Sequence, residues 1–184
     1  MAIKFKAVVI DNQNEKFTRE IKELDNSHLR DGNVLIKIDY SSLNYKDAMI
    51  LKDGGRIVRK FPFVPGIDFS GKVIESEDER FKKDENIICT GFRVGEMYYG
   101  GFSQYAKVDS NFLIKNPKNI DSQKSMMLGT AGFTALQCSF AIKAREELLL
   151  GEKVKDVLVT GATGGVGSIA VMILSKMGYN VHAV

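Results

Sequence analysis

Val157-Leu158-Val159-Thr160-Gly161-Ala162-Thr163-Gly164-Gly165-Val166-Gly167 is the stretch that decides how this chain folds. Its first four residues form a β-branched, apolar run of the length expected for a buried parallel strand. The run leads straight into a glycine-rich turn. Beyond the turn, Val166, Ile169, Ala170, Ile173, Leu174 and Met177 fall on one helical face, and Gly178 stands where a helix would end. Tyr179 to Val184 then begins another strand, so the segment reads as a βαβ unit. Glycines suit this turn because a dinucleotide pyrophosphate must approach the backbone at the helix N-terminus, where N–H groups and the helix dipole favour anions. The match is A-x-G-x-x-G, with Ala162 where the usual fingerprint has its first glycine. A glycine-rich turn that binds nothing is the bland alternative; strand, turn and helix in the required order speak for the ligand. Thr163, Gly164, Gly165 and Val166 are therefore candidate cofactor-binding residues. The residue that separates NAD from NADP normally lies at the end of the second strand, so the residues here specify a dinucleotide without saying which.

N-terminal to this unit the pattern is different. From Ile3 to Val108, short extended runs alternate with turn signals, as in an antiparallel, barrel-like β domain. The expected strands are 4–10, 18–24, 34–40, 69–74, 86–89 and 102–108. Val34 to Tyr40 alternates well enough to bury one face, and Asp31-Gly32-Asn33 before it supplies a turn. All three prolines, Pro62, Pro65 and Pro117, fall between the runs, where a missing N–H does least harm. The segment 75–86 carries nine charges of both signs and reads as a solvated hairpin or loop. After Pro117 the spacing turns helical. Asp121 can cap a short helix through Met127, a second helix is expected over 131–142, and 143–156 is either a helix extension or a linker. This gives a domain of residues 1–120 followed by residues 121–184 as the start of another.

Composition excludes several classes of function. The 184 residues are 44% hydrophobic and 27% charged with a net charge of +3, which suggests neither disorder nor a nucleic-acid footprint. Cys89 and Cys138 lack the spacing of a disulfide framework or a zinc cluster, and they fit a reducing cytoplasm. No signal-peptide core and no long apolar run is expected to enter a membrane.

Three further segments complete a recognisable set: Ser41-Ser42-Leu43-Asn44-Tyr45-Lys46-Asp47, Pro65-Gly66-Ile67-Asp68-Phe69-Ser70-Gly71 and Gly129-Thr130-Ala131-Gly132-Phe133-Thr134-Ala135. With the Gly161 to Gly167 turn, their order closely resembles the zinc-free acrylyl-CoA reductase and quinone oxidoreductase branch of the medium-chain dehydrogenase/reductase superfamily. The resemblance covers essentially the whole chain. It implies an α/β plus β architecture, a GroES-like β-barrel catalytic domain followed by the first βαβ portion of a Rossmann domain, with the rest of that domain missing. The resemblance makes the cofactor NADPH. In zinc-dependent relatives a cysteine and a Gly-His-Glu motif bind the catalytic metal, whereas Leu43-Asn44-Tyr45 and Gly66-Ile67-Asp68 stand at the corresponding places here. His28 and His182 offer no Cys/His cluster in sequence, so no metal is expected.

The same resemblance assigns roles. Tyr45 would contact the nicotinamide end of NADPH, or else pack against the barrel rim. Asn44 would orient a carbonyl or amide, or else stabilise a turn. Asp68 would lie beside the active cleft, with turn formation as its alternative, and Thr130 and Thr134 would contact the cofactor or else cap and pack a helix. Lys46 and Asp47 read as structural or solvated. The implied reaction is hydride transfer to the activated double bond of an enoyl thioester such as acrylyl-CoA, followed by protonation; Asp68, Tyr45 and water all stand as proton sources. The alternatives are an NADPH:quinone oxidoreductase and a catalytically idle NADPH-binding protein. Expected partners are a small acyl-CoA thioester or quinone, with no nucleic acid and no membrane, and with room for a homodimer of the full-length protein. The 184 residues alone are expected to be an incompetent fragment, because one crossover and one further strand leave a doubly wound sheet incomplete.

Overall fold

The computed structural model describes residues 3–13, 16–29, 32–54, 56–148 and 155–184. The chain divides into two compact units, Met1–Gly129 and Thr130–Val184.

In the first unit, β1 (Lys4–Gln13) and β2 (Lys16–Asp25) form an antiparallel hairpin in continuous register from Lys4↔Asp25 to Gln13↔Lys16. Then follow β3 (Val34–Ser41), α1 (Tyr45–Asp53), β4 (Asp68–Ser76), β5 (Asn86–Thr90), β6 (Tyr105–Val108) and β7 (Leu113–Lys115). The last five strands form one antiparallel sheet in the order β6-β3-β4-β5-β7. Its inner face carries Val34, Ile36, Phe69, Val73, Ile87 and Val108, all buried. Leu35, on the other face of β3, is buried too, so core and surface alternate only beyond it, over residues 36–39. Phe69 is 0% exposed, and its truncation to alanine would cost about 3–5 kcal/mol.

Each expected strand exists, with shifts that have local causes. Residues 102–104 do not open β6. They turn instead toward the hairpin, where Val8 N–H donates to the Phe102 carbonyl and Gln104 N–H to the Lys6 carbonyl. The charged run was expected to be solvated throughout, yet Phe81 within it is 6% exposed and joins the core. Asp31, part of the expected turn before β3, lies outside the described residues.

The run α2 (Ser122–Leu148) is broken at Gly129, whose φ of 48° and ψ of −151° are not helical. Two helices were expected here, and the break falls between them. Asp121 caps the first as anticipated, its carboxylate accepting from the Lys124 N–H at 2.7 Å. Residues 122–146 are long and apolar enough to cross a membrane by length and composition, contrary to the expectation that no run would be. The break at Gly129 interrupts them, and Met126 and Ala135 are buried within their respective units. Helix continues through Leu148, which settles the first part of the undecided segment, and residues 149–154 lie outside the described ones.

In the second unit, β8 (Asp156–Val159), α3 (Gly165–Lys176) and β9 (Asn180–Ala183) form the βαβ unit, with β8 and β9 parallel from Asp156↔Asn180 to Val159↔Ala183. Ala170 and Leu174 of α3 are buried, and Val157 of β8 is buried with them. Gly178 follows the helix with φ 91°, the left-handed conformation that ends helices at glycine.

Candidate functional site

In the first unit the site begins where β3 gives way to α1. Asn44 is the N-cap of α1, in extended backbone conformation, and its own N–H donates to Asp47 Oδ2 at 2.8 Å. Asp47 is fully buried, and its other oxygen accepts from the Ile67 N–H at 3.0 Å. One carboxylate thus ties the 41–44 turn to the Pro65-Gly66-Ile67 turn. Burial pushes the Asp47 carboxyl above its ordinary value, while the N–H donors of Asn44 and Ile67 oppose that rise.

The next residue, Asp68, opens β4 and is also fully buried. Its Oδ2 accepts from Ser42 Oγ at 2.8 Å and from Asn44 Nδ2 at 2.9 Å. Asn44 and Asp68, which are 24 residues apart, are therefore brought into direct contact. Beneath them, burial foremost, with the charge of Asp68 adding to it, pushes the Cys89 thiol up, so this cysteine is an inert core residue. Tyr45, the first residue of α1, is 83% exposed, which argues against packing on the barrel rim.

The second unit holds the glycine turn. Gly164 N–H donates to the Gly161 carbonyl at 2.9 Å, and the first bond of α3 runs from Ser168 N–H to the Gly164 carbonyl at 2.9 Å. The N–H groups of Gly165, Val166 and Gly167 precede that bond and lie at the positive end of the helix. A Cβ on Gly167 would sit 2.2 Å from the Gly161 carbonyl oxygen, so only glycine closes the turn against the helix. A Cβ on Gly165 would stand 3.3 Å from the Ala131 Cβ, so the helix carrying Thr130 and Thr134 lies beside the turn. The Thr134 hydroxyl donates to the Thr130 carbonyl at 2.8 Å, as the packing alternative for this residue anticipates. Thr163 is exposed on the turn, and Val166 is 38% exposed on the first turn of α3. A tight glycine turn at a helix N-terminus fits a dinucleotide diphosphate.

Residues 30–118 match the alcohol dehydrogenase GroES-like domain. The acrylyl-CoA reductase AcuI of Ruegeria pomeroyi is 45% identical over 182 residues, 98% of this chain and 54% of that protein. The crystal structure of the yhdH oxidoreductase from Salmonella enterica in complex with NADP superposes with a TM-score of 0.90 at 42% identity, over 97% of this chain and 54% of that one. The chain belongs to the medium-chain dehydrogenase/reductase superfamily. Bacillus subtilis yhfP with NAD bound is similar at a TM-score of 0.88 and 40% identity, over 98% of this chain and 54% of that one. That protein carries a provisional quinone oxidoreductase name. The chain spans about half, 54%, of the length of these curated relatives.

In this medium-chain dehydrogenase/reductase chain, Ser42 lay within a quoted motif without an assigned part, and it donates to Asp68. Of the two expectations for Asp47, structural or solvated, the structural one holds: it is the buried tie between two turns. The spacing of Asn44 and Asp47, cap and third helical residue, was the available signal. Among the described residues, no group of three or more His, Cys, Asp or Glu side chains is arranged to hold a metal ion.

Proposed function

We propose that the chain forms the first part of an NADPH-dependent, zinc-free cytoplasmic reductase acting on the activated carbon–carbon double bond of an enoyl thioester such as acrylyl-CoA. In this reading residues 1–120 are the catalytic barrel and residues 121–184 begin the nucleotide domain. The observation that carries the proposal is the glycine turn at the N-terminus of α3, within a chain similar along nearly its whole length to an acrylyl-CoA reductase. NADPH, when bound, supplies the hydride.

The chain's own residues bind and orient. Backbone N–H groups at Gly165 and Val166 hold the diphosphate, with Thr163 and Gly164 shaping its approach. Thr130 and Thr134 lie on the helix beside that turn and contribute cofactor contacts. Tyr45, exposed at the start of α1, contacts the nicotinamide end. Asn44 orients the reacting carbonyl or amide through its side chain, and Asp68 fixes that side chain by accepting from its nitrogen.

A quinone acceptor is the second reading, favoured by the similarity to the Bacillus subtilis protein. Steady-state oxidation of NADPH by acrylyl-CoA and by a quinone, measured on the full-length protein, separates the readings. Preference for acrylyl-CoA is expected. Turnover of quinone alone would overturn the thioester assignment, and NADPH binding without turnover of either would leave an idle binding protein.

A further inference from the structure

A cleft in the first unit, of about 500 Å³, is lined by Lys46, Arg56, Arg59, Lys60 and Arg93, with Glu96 as its one acid. Three separate segments converge there: the first turn of α1, the loop that follows α1, and the 91–99 turn. Glu96 is already shared, lying 3.0 Å from Lys46 Nζ and 3.6 Å from Arg93 Nε. Among the described residues, Arg56, Arg59 and Lys60 have no acidic partner. The whole chain carries a net charge of only +3, so five cations against one acid in a single cleft is a local concentration that composition conceals. Arg56 and Arg93 are also presented from left-handed backbone, at φ 55° and 62°, a conformation that non-glycine residues adopt rarely and that clusters at ligand sites.

We propose that this cleft binds the 3′-phosphorylated ADP end of the acyl-CoA substrate. The assignment rests on the thioester reading above and deepens it. That end of coenzyme A carries a diphosphate and a phosphomonoester, and guanidinium groups meet phosphate oxygens with paired, charge-assisted hydrogen bonds. Ile57, half-buried, and Met97, 59% exposed, supply apolar surface for the adenine. Lys46 directly follows Tyr45, so the cleft begins one residue from the proposed reacting end and the pantetheine arm joins the two. The phosphates of the dinucleotide are served elsewhere, by the turn before α3. A quinone carries no phosphate and would leave the cleft without a ligand.

The test uses full-length protein and two thioesters, acrylyl-CoA and the acrylyl thioester of N-acetylcysteamine, which has no nucleotide. Turnover of acrylyl-CoA by the wild type is measured first; its failure overturns the thioester reading and this assignment with it. With that turnover established, replacing Arg56, Arg59 and Lys60 together by alanine is expected to raise KM for acrylyl-CoA by roughly tenfold or more. The kcat on acrylyl-CoA, the kcat/KM on the truncated thioester and the KM for NADPH are expected to stay unchanged. Adenosine 3′,5′-bisphosphate is expected to compete with acrylyl-CoA in the wild type and to lose that effect in the variant. An unchanged KM for acrylyl-CoA, or equal losses on both thioesters, would overturn the cleft assignment alone. Competition by an unrelated oligonucleotide as strong as that of the bisphosphate would do the same, by marking a general polyanion surface.

Discussion

Asp47 and Ile67 are joined across 20 residues of sequence: the carboxylate on α1 accepts from the Ile67 backbone N–H at 3.0 Å. The same carboxylate accepts from the Asn44 N–H at 2.8 Å. Asp47→Ala would leave two N–H groups without this acceptor, each worth about 1–3 kcal/mol if buried and unpaired. A clear drop in the unfolding temperature is expected, with Asp47→Asn intermediate because its amide keeps one acceptor oxygen. An unchanged melting curve for Asp47→Ala would show that the tie is dispensable. The sign of the pH effect follows from burial, which raises the folded-state carboxyl above 3.8. As pH rises from there through the raised value, the native state holds the proton longer than the unfolded chain, so this group's contribution to stability falls. That slope should vanish in Asp47→Asn.

The opposite sign is expected at Asp78. Hydrogen bonds from Arg80 hold its carboxyl well below the ordinary 3.8, helped by Ser110. The Arg80 guanidinium also bonds to Ser110 Oγ at 3.1 Å and Asn111 Oδ1 at 2.9 Å, linking the charged turn to the segment before β7. Stability from this pair is present above 3.8 and lost as pH falls through the lower folded-state value. Melting curves between pH 5 and pH 2, roughly the range over which carboxylates take up protons, should show a shallower acid loss in Asp78→Asn than in wild type. Parallel curves would count against the pair.

Gly165→Asp should weaken NADPH binding by roughly tenfold or more, because it sets negative charge at the helix end meant for phosphate. Gly165→Ala is the necessary companion, since a Cβ there already meets Ala131 at 3.3 Å. In fluorescence titration of full-length protein the alanine variant should retain most of the affinity. Equal affinity of the aspartate variant and wild type would remove the phosphate assignment. Equal losses in both variants would trace the effect to packing.

By the family resemblance, Leu43-Asn44-Tyr45 and Gly66-Ile67-Asp68 correspond to the segments that carry metal ligands in zinc-dependent relatives. Elemental analysis of the purified full-length protein should find no stoichiometric zinc, and treatment with a chelator should leave turnover intact. Activity lost to the chelator and restored by zinc would reverse the assignment.

The strands were legible because burial writes itself into alternation, as over residues 36–39 of β3, and the βαβ unit because glycines and helical spacing occur in a fixed order. α1 was not read as a helix, although its cap at Asn44, its acid at Asp47 and its left-handed terminator at Gly54 are all local signals. β7 is three residues long and exists through its pairing with β5, which no local pattern announces. Phe81 was hidden by the charges around it. The contact of Ser42 and Asn44 with Asp68, and the gathering of Lys46, Arg56 and Arg93, depend on tertiary closure and have no counterpart in spacing.

Gly129, where the long helical run breaks, has a consequence for mutational tolerance. A Cβ at this position would stand 2.7 Å from Asp68 Oδ2 and 2.7 Å from Ser42 Oγ, and its φ of 48° already disfavours any other residue. Every replacement must therefore displace the carboxylate or straighten the break. In a saturation screen scored on turnover, position 129 should rank with Asp68 itself, although it contributes no functional group. The contour of this carboxylate pocket is drawn in part by a residue with nothing to donate, and a search confined to reactive side chains would pass over it.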